Sequence, residues 1–151
     1  MWEFTHEETI DAPVEQVFNL LTDLPSYQNW NPFLIKAKGK IEIGGVVTGK
    51  SVLGKMTTSY RHKIFELIPN KSLCWRDFGF PSIFVCGQRS RYVQTQDGKT
   101  HFRCHLKLSG PLSGLVNLLF GEGLRKGIVA EADALKKEAI SKSKKEVDEK
   151  V

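Results

Sequence analysis

Apolar and polar positions alternate over residues 2–10, with Trp2, Phe4, His6, Glu8 and Ile10 on one side and Glu3, Thr5, Glu7 and Thr9 on the other. A period of two marks a half-buried strand, here with His6 and Glu8 set into its apolar face. The period then changes. Val14, Val17, Phe18 and Leu21 fall at helical spacing behind Asp11 as N-cap, and Pro13 sits in the first turn, where its missing N–H costs nothing. Pro25 ends this helix, Ser26 caps a second short one through Tyr27 and Trp30, and Asn31-Pro32 forces the chain into extended structure. Two helices joined at a proline form a V-shaped brace. Further strands are expected at 33–43, 46–53, 57–68, 72–78, 83–95 and 100–109, with Gly44-Gly45, Gly54-Lys55, Pro69-Asn70-Lys71, Phe80-Pro81-Ser82 and Asp97-Gly98 between them. Connections this short make neighbouring strands antiparallel. After Gly110-Pro111 the helical period returns with Leu112, Leu115, Leu118, Leu119, Ile128, Ala132, Leu135 and Ala139. The expected architecture is α+β: a seven-stranded curved antiparallel sheet wrapped around a long C-terminal helix, with two short helices between strands 1 and 2.

A strongly bent sheet of this length has a concave face wider than one helix can fill, so a cavity between sheet and helix is expected. Phe102, Cys104, Leu106 and Leu108 form the clearest inward face, opposite His101, Arg103, His105 and Lys107. Trp30 and Trp75 are placed at the cavity wall. The glycines at 121, 123 and 127 disfavour a helix interior. They fit either a helix that bends open as a gate or one packed closely on the sheet, and the sequence leaves both open.

Composition changes this picture little. With 151 residues, 40% of them hydrophobic, the chain suits one domain, expected over 1–145, with 146–151 as a frayed charged tail. The net charge of +5 raises the question of nucleic acid. Yet Lys136, Lys137, Lys142, Lys144, Lys145 and Lys150 lie among Glu138, Glu146, Asp148 and Glu149 in a solvated tail, and no recognition helix accompanies them. Nucleic acid is therefore not an expected partner. No transmembrane segment is expected, and Met1–Glu8 has no signal-peptide pattern, so a cytoplasmic location is expected. Cys74, Cys86 and Cys104, odd in number and widely spaced, read as reduced core thiols.

Several motifs are weaker than they look. Gly44 to Ser51 matches the phosphate-loop pattern letter for letter, but its β-branched interior belongs to a hairpin, and no helix start follows it. On a strand, His101 and His105 lie ~13 Å apart and Cys104 points the other way, too far for one zinc. No cofactor and no metal are expected. His6, Glu8 and His62 remain as weak catalytic candidates, because a cavity His or Glu in apolar surroundings can act as acid or base. Arg61, Arg76, Arg89 and Arg91 cannot be oriented, since one β-bulge would exchange the faces of a strand.

Asp11-Ala12-Pro13, Val17-Phe18, Leu21 and Asp23, followed by Tyr27, Trp30-Asn31-Pro32-Phe33, resemble the opening of the START-like, or SRPBCC, superfamily, in its polyketide cyclase/dehydrase and lipid-transport branch. Pro69, Leu73, Trp75, the Asp97-Gly98 hairpin and Leu108-Ser109-Gly110 extend the resemblance over nearly the whole chain. It implies a helix-grip fold and a cavity that holds lipids, polyketides or other apolar compounds. By the same resemblance Phe18, Leu21, Trp75, Phe102, Leu106, Leu115, Leu119 and Ile128 line that cavity. Relatives often carry an acidic residue near the position of Leu106, so no catalytic acid carries over. The expected function is binding or carriage of a small hydrophobic molecule, without catalysis. Its rivals are a cyclase or dehydratase using His6, Glu8 or His62, and a module for a partner or membrane surface using the basic strands and tail.

Overall fold

The computed structural model of the chain describes residues 1–149. Strand β1 (Trp2–Ile10) leads into α1 (Val14–Thr22), a single 3-10 turn (Leu24–Ser26) and α2 (Tyr27–Trp30). Strands β2 (Leu34–Gly39), β3 (Val46–Leu53), β4 (Met56–Ile68), β5 (Ser72–Asp77), β6 (Cys86–Gln96) and β7 (Lys99–Ser109) follow, and α3 (Ser113–Glu149) ends the described chain. The strands form one antiparallel sheet in the order β1-β7-β6-β5-β4-β3-β2, so the expected α+β helix-grip architecture is the one found. The meander runs from β2 to β7, and β1 closes against β7 with Phe4 opposite Leu106 and His6 opposite Cys104. Among the described residues, no helix is long and apolar enough to cross a membrane.

Local details depart from expectation for identifiable reasons. Pro13, not Asp11, is the N-cap of α1. Its ring fixes φ at −63°, its ψ of 149° makes the backbone extended, and its carbonyl accepts a helical hydrogen bond from Val17 at 3.2 Å. Strand β2 stops at Gly39, whose φ of 145° no side chain would tolerate and where a Cβ would lie 2.1 Å from the Val46 carbonyl oxygen. The β2–β3 connection is therefore a loop over 40–45, not a tight Gly44-Gly45 turn. The segment Phe80–Ile83 coils into a 3-10 turn, with Pro81 in its first positions, and delays the start of β6 to Cys86. The phosphate-loop look-alike spans a loop and strand β3, with no helix behind it.

Helix α3 is continuous to Glu149, and Lys150 and Val151 of the expected tail lie outside the described residues. At Gly127 close packing is required: a Cβ there would come within 2.3 Å of the Phe33 ring. The inward stripe of α3 includes Ile128, Ala132, Leu135 and Ala139, all buried. Val17, Leu20 and Leu21 of α1, with Leu24 and Tyr27 of the brace, are buried in the same core, each large apolar side chain contributing about 1.5–3 kcal/mol. Glu131 lies in the α3 stripe too, 1% exposed. A carboxylate there needs partners.

Candidate functional site

Those partners come from β6. Strands β6 and β7 pair without a bulge, which sets Arg89 opposite Leu106 and Arg91 opposite Cys104 on the concave face. Both arginines are buried, Arg89 at 6% and Arg91 at 0% exposure. The guanidinium of Arg89 donates to both carboxylate oxygens of Glu131, at 3.1 and 3.4 Å, and to Cys104 Sγ at 3.1 Å. Arg91 stands 3.5 Å from Glu131, donates to the Tyr27 hydroxyl at 3.1 Å and sits over the Trp75 ring, its guanidinium carbon 3.8 Å from the ring centroid. Tyr27 in turn donates to the Leu21 carbonyl, tying the network to the brace. Burial, the largest single influence, works against the charge on Arg89, but the Glu131 carboxylate and Cys104 together outweigh it and hold the guanidinium protonated more firmly than usual. Arg61 and Arg76, by contrast, face outward against Phe78 and Phe65.

Above this network, between the concave sheet and the first turns of α3, lies a cavity of about 200 Å³. Trp75, Arg89, Leu106 and Leu108 form its floor, and Val116, Phe120 and Leu124 of α3 roof it. It is smaller than the roughly 300–1,000 Å³ of drug-sized pockets, because the arginines, Glu131 and Trp75 fill the deeper half of the gap. A wider recess of about 690 Å³ lies at the edge of β2 and β3 among Lys36, Lys38, Lys50 and Arg61, outside the sheet–helix gap. Tyr60 borders both spaces, its hydroxyl donating to the Lys36 carbonyl at 2.9 Å.

One wall of the cavity carries a His–Asp pair. His62 Nε2 lies 3.0 Å from Asp77 Oδ1, and Asp77 Oδ2 accepts the Gly87 N–H at 2.8 Å. The imidazole stacks on Trp75, with centroids 6.0 Å apart and planes 19° apart, and tilts against Tyr60 at 5.1 Å. Its Nδ1 is buried and has no hydrogen-bond partner among the described residues. With Nε2–H directed at an anchored carboxylate, Nδ1 keeps its lone pair and can take a proton.

His6 and Glu8 do not border this cavity. They lie where β1 packs against α3, with His6 Nε2 3.9 Å from Glu8 Oε1. Burial first, then the hydrogen bond and charge of Asp133, push the Glu8 carboxyl up to about 7, and Lys136 partly offsets this. His6, Glu8 and Asp133 place one potential metal donor each within 4.8 Å of one another, and the neighbouring Asp133 carboxylate favours a proton on Glu8. Because the folded state holds this proton more tightly than the unfolded chain, stability is lost as pH rises from the ordinary 4.5 to about 7. Glu8→Gln is expected to gain about 1–2 kcal/mol at pH 8 and nothing at pH 4, measured by urea denaturation at both values.

Of the lining residues expected from sequence, Trp75 and Leu106 border the cavity. Phe18, Leu21, Phe102 and Ile128 are packed in the core beside it. Leu115 and Leu119 are corrected: at 52% and 63% exposure they project outward, because α3 docks through Val116, Phe120 and Leu124 instead. Trp30 is half-buried on the brace, edge-on to Tyr27 at 5.2 Å, with its Nε1–H on Ser26 Oγ. His101 and His105, expected in water, are half-buried beside Glu7 and Glu3 at 3.3 and 3.7 Å. Sequence reading missed Glu131, Asp77 and Arg89 as one site. Glu131 had a signal, since it sits three residues after Ile128 and four before Leu135 on the buried stripe.

The profile of the family described as polyketide cyclase/dehydrase and lipid transport matches residues 1–139. The chain belongs to that family. No curated protein matches its sequence. Among solved structures, the chain is similar to a protein from Thermus thermophilus, with TM-score 0.76 and 14% identity over 94% of this chain and 99% of that one. It is also similar to the Zhui aromatase/cyclase from a Streptomyces species, with TM-score 0.73 and 17% identity over 91% and 93% of the two chains. The di-domain aromatase/cyclase StfQ of the steffimycin pathway matches with TM-score 0.75 and 8% identity, and this chain spans 51% of its length. At these identities the likeness is one of fold.

Proposed function

We propose that this family member binds a compact hydrophobic molecule in the gap between the sheet and the start of α3. The observation that carries this reading is the cavity of about 200 Å³, roofed by Val116, Phe120 and Leu124 and floored by Trp75, Leu106 and Leu108. Removing an apolar ligand from water into such a space contributes about 25 cal/mol for each Å² buried. A cavity this size suits a fused-ring compound or short chain rather than a two-tailed lipid. The test is fluorescence titration with 2-naphthamide, expected to saturate at one site. Val116→Trp, which plugs the roof, is expected to weaken that binding at least about tenfold with unchanged circular dichroism. Undiminished uptake by the plugged variant overturns the reading.

A second reading rests on the His62–Asp77 pair. Solved structures of similar fold include proteins named as aromatase/cyclases, and in this chain a half-buried imidazole, its Nδ1 unpartnered among the described residues, borders the cavity. Asp77 would hold the tautomer, and Nδ1 would take a proton from a carbon next to a bound ketone's carbonyl, leaving the electron pair as an enolate. The expected consequence is catalysed exchange of such protons with solvent, lost when His62 is replaced. Exchange no faster than in buffer leaves binding as the function.

A further inference from the structure

The buried network does not balance its own charge. Arg89 and Arg91 bring two guanidinium cations into the core, and Glu131 is the carboxylate that meets them. Their exposures of 6%, 0% and 1% leave little solvent to carry the excess. The remaining donors bear this out: among the described residues, Arg89 Nε, Arg91 Nε and Arg91 Nη2 are buried without a hydrogen-bond partner. Arg91 is covered by the Trp75 face and the Tyr27 hydroxyl. Arg89 borders the cavity. Arg89 is thus a buried cation beside a largely apolar cavity whose lining also carries the His62–Asp77 pair, and it can recruit an anion there because charges taken out of water persist only when paired.

We infer that the cavity takes an apolar acid, its oxyanion directed at Arg89 and its hydrocarbon body under Val116, Phe120 and Leu124. This rests on the reading of the cavity as a ligand site and adds the ligand's charge. The ligand's carboxylate would complete a set of two cations and two anions. The terminal nitrogens of Arg89 already serve Glu131 and Cys104, so the oxyanion meets the guanidinium's charge and its remaining N–H bonds, and guanidinium suits the part because it is less strongly hydrated than an ammonium. The tight packing of Trp75, Arg91 and Tyr27 pre-organises the cationic end, so little ordering remains on binding. His62 lies on the adjoining wall, near the bound acid.

The experiment compares two ligands of the same shape, 2-naphthoate and 2-naphthamide, by titration at pH 7.5. Naphthoate is expected to bind at least about tenfold more tightly, and Arg89→Met to bring the ratio close to one. Leu106→Glu supplies a carboxylate from the position paired with Arg89 across the ladder. It is expected to bring the naphthoate-to-naphthamide affinity ratio to about one or below, whatever it does to the affinity for either compound alone, and it keeps the test available should Arg89→Met fail to fold. Equal affinities in the unaltered protein, or a preference that survives both substitutions, overturn the assignment of charge and leave the apolar cavity standing. Binding of neither compound overturns the cavity reading and this inference with it. A Cys104 thiolate, 3.1 Å from Arg89, would balance the charge from within. Absorbance at 240 nm that disappears in Cys104→Ala would therefore also overturn the inference.

Discussion

Glu131→Met is expected to destabilise the protein by about 3–5 kcal/mol, the usual cost of removing one partner from a buried ion pair. Two guanidinium groups then remain in the core with no carboxylate, and Arg89 loses both of its bonds to Glu131, at 3.1 and 3.4 Å. For a domain stable by about 5–15 kcal/mol, a loss of this size removes much of the folded margin. Urea denaturation at neutral pH measures it as a lower midpoint at similar slope. Converting all three positions together, Arg89→Met, Arg91→Leu and Glu131→Leu, is expected to cost far less, since no ion is then left without water or partner. A loss below about 1 kcal/mol for Glu131→Met would show that water reaches the arginines, contrary to their burial.

His62→Gln is expected to slow proton exchange of a bound ketone by roughly 10²–10⁴-fold, the range a positioned general base supplies. The measurement is loss of the α-proton NMR signals of 1-indanone in D₂O, with affinity for the same compound determined separately. Glutamine keeps most of the side chain's bulk against Trp75 and Tyr60, so binding is expected to persist while exchange falls. Asp77→Asn tests orientation: the amide can still contact the ring, but the tautomer that leaves Nδ1 unprotonated is no longer enforced. Equal exchange in His62→Gln and the unaltered protein would remove His62 from the chemistry.

Much of this site was legible in principle, and the obstacle was what charged residues ordinarily do. The Asp97-Gly98 turn sets Gln96 opposite Lys99, and counting back along the ladder sets Arg91 opposite Cys104 and Arg89 opposite Leu106. Phe102, Cys104, Leu106 and Leu108 already marked that face as inward. Arginines are mostly surface residues, however, and a bulge would have reversed the strand. Such an irregularity does occur between β4 and β5, at Ile64 to Glu66, which is why the meeting of His62 with Asp77 could not be counted out in the same way. At α3 the difficulty was different. Residues 112–120 are apolar on nearly all sides, so their pattern has no preferred phase, and docking against the sheet chose Val116 and Phe120 over Leu115 and Leu119.

Strand and helix periods, turn chemistry and the antiparallel meander were determined by the sequence alone, because each depends on neighbours a few residues apart. Which charges meet in the core was decided only by tertiary structure. Glu131 reaches Arg89 across 42 positions of chain, and its partner is set by where a curved sheet and a docked helix exclude water. That same exclusion leaves the cavity beside Arg89, since side chains that must pair their charges cannot also fill every space the fold encloses.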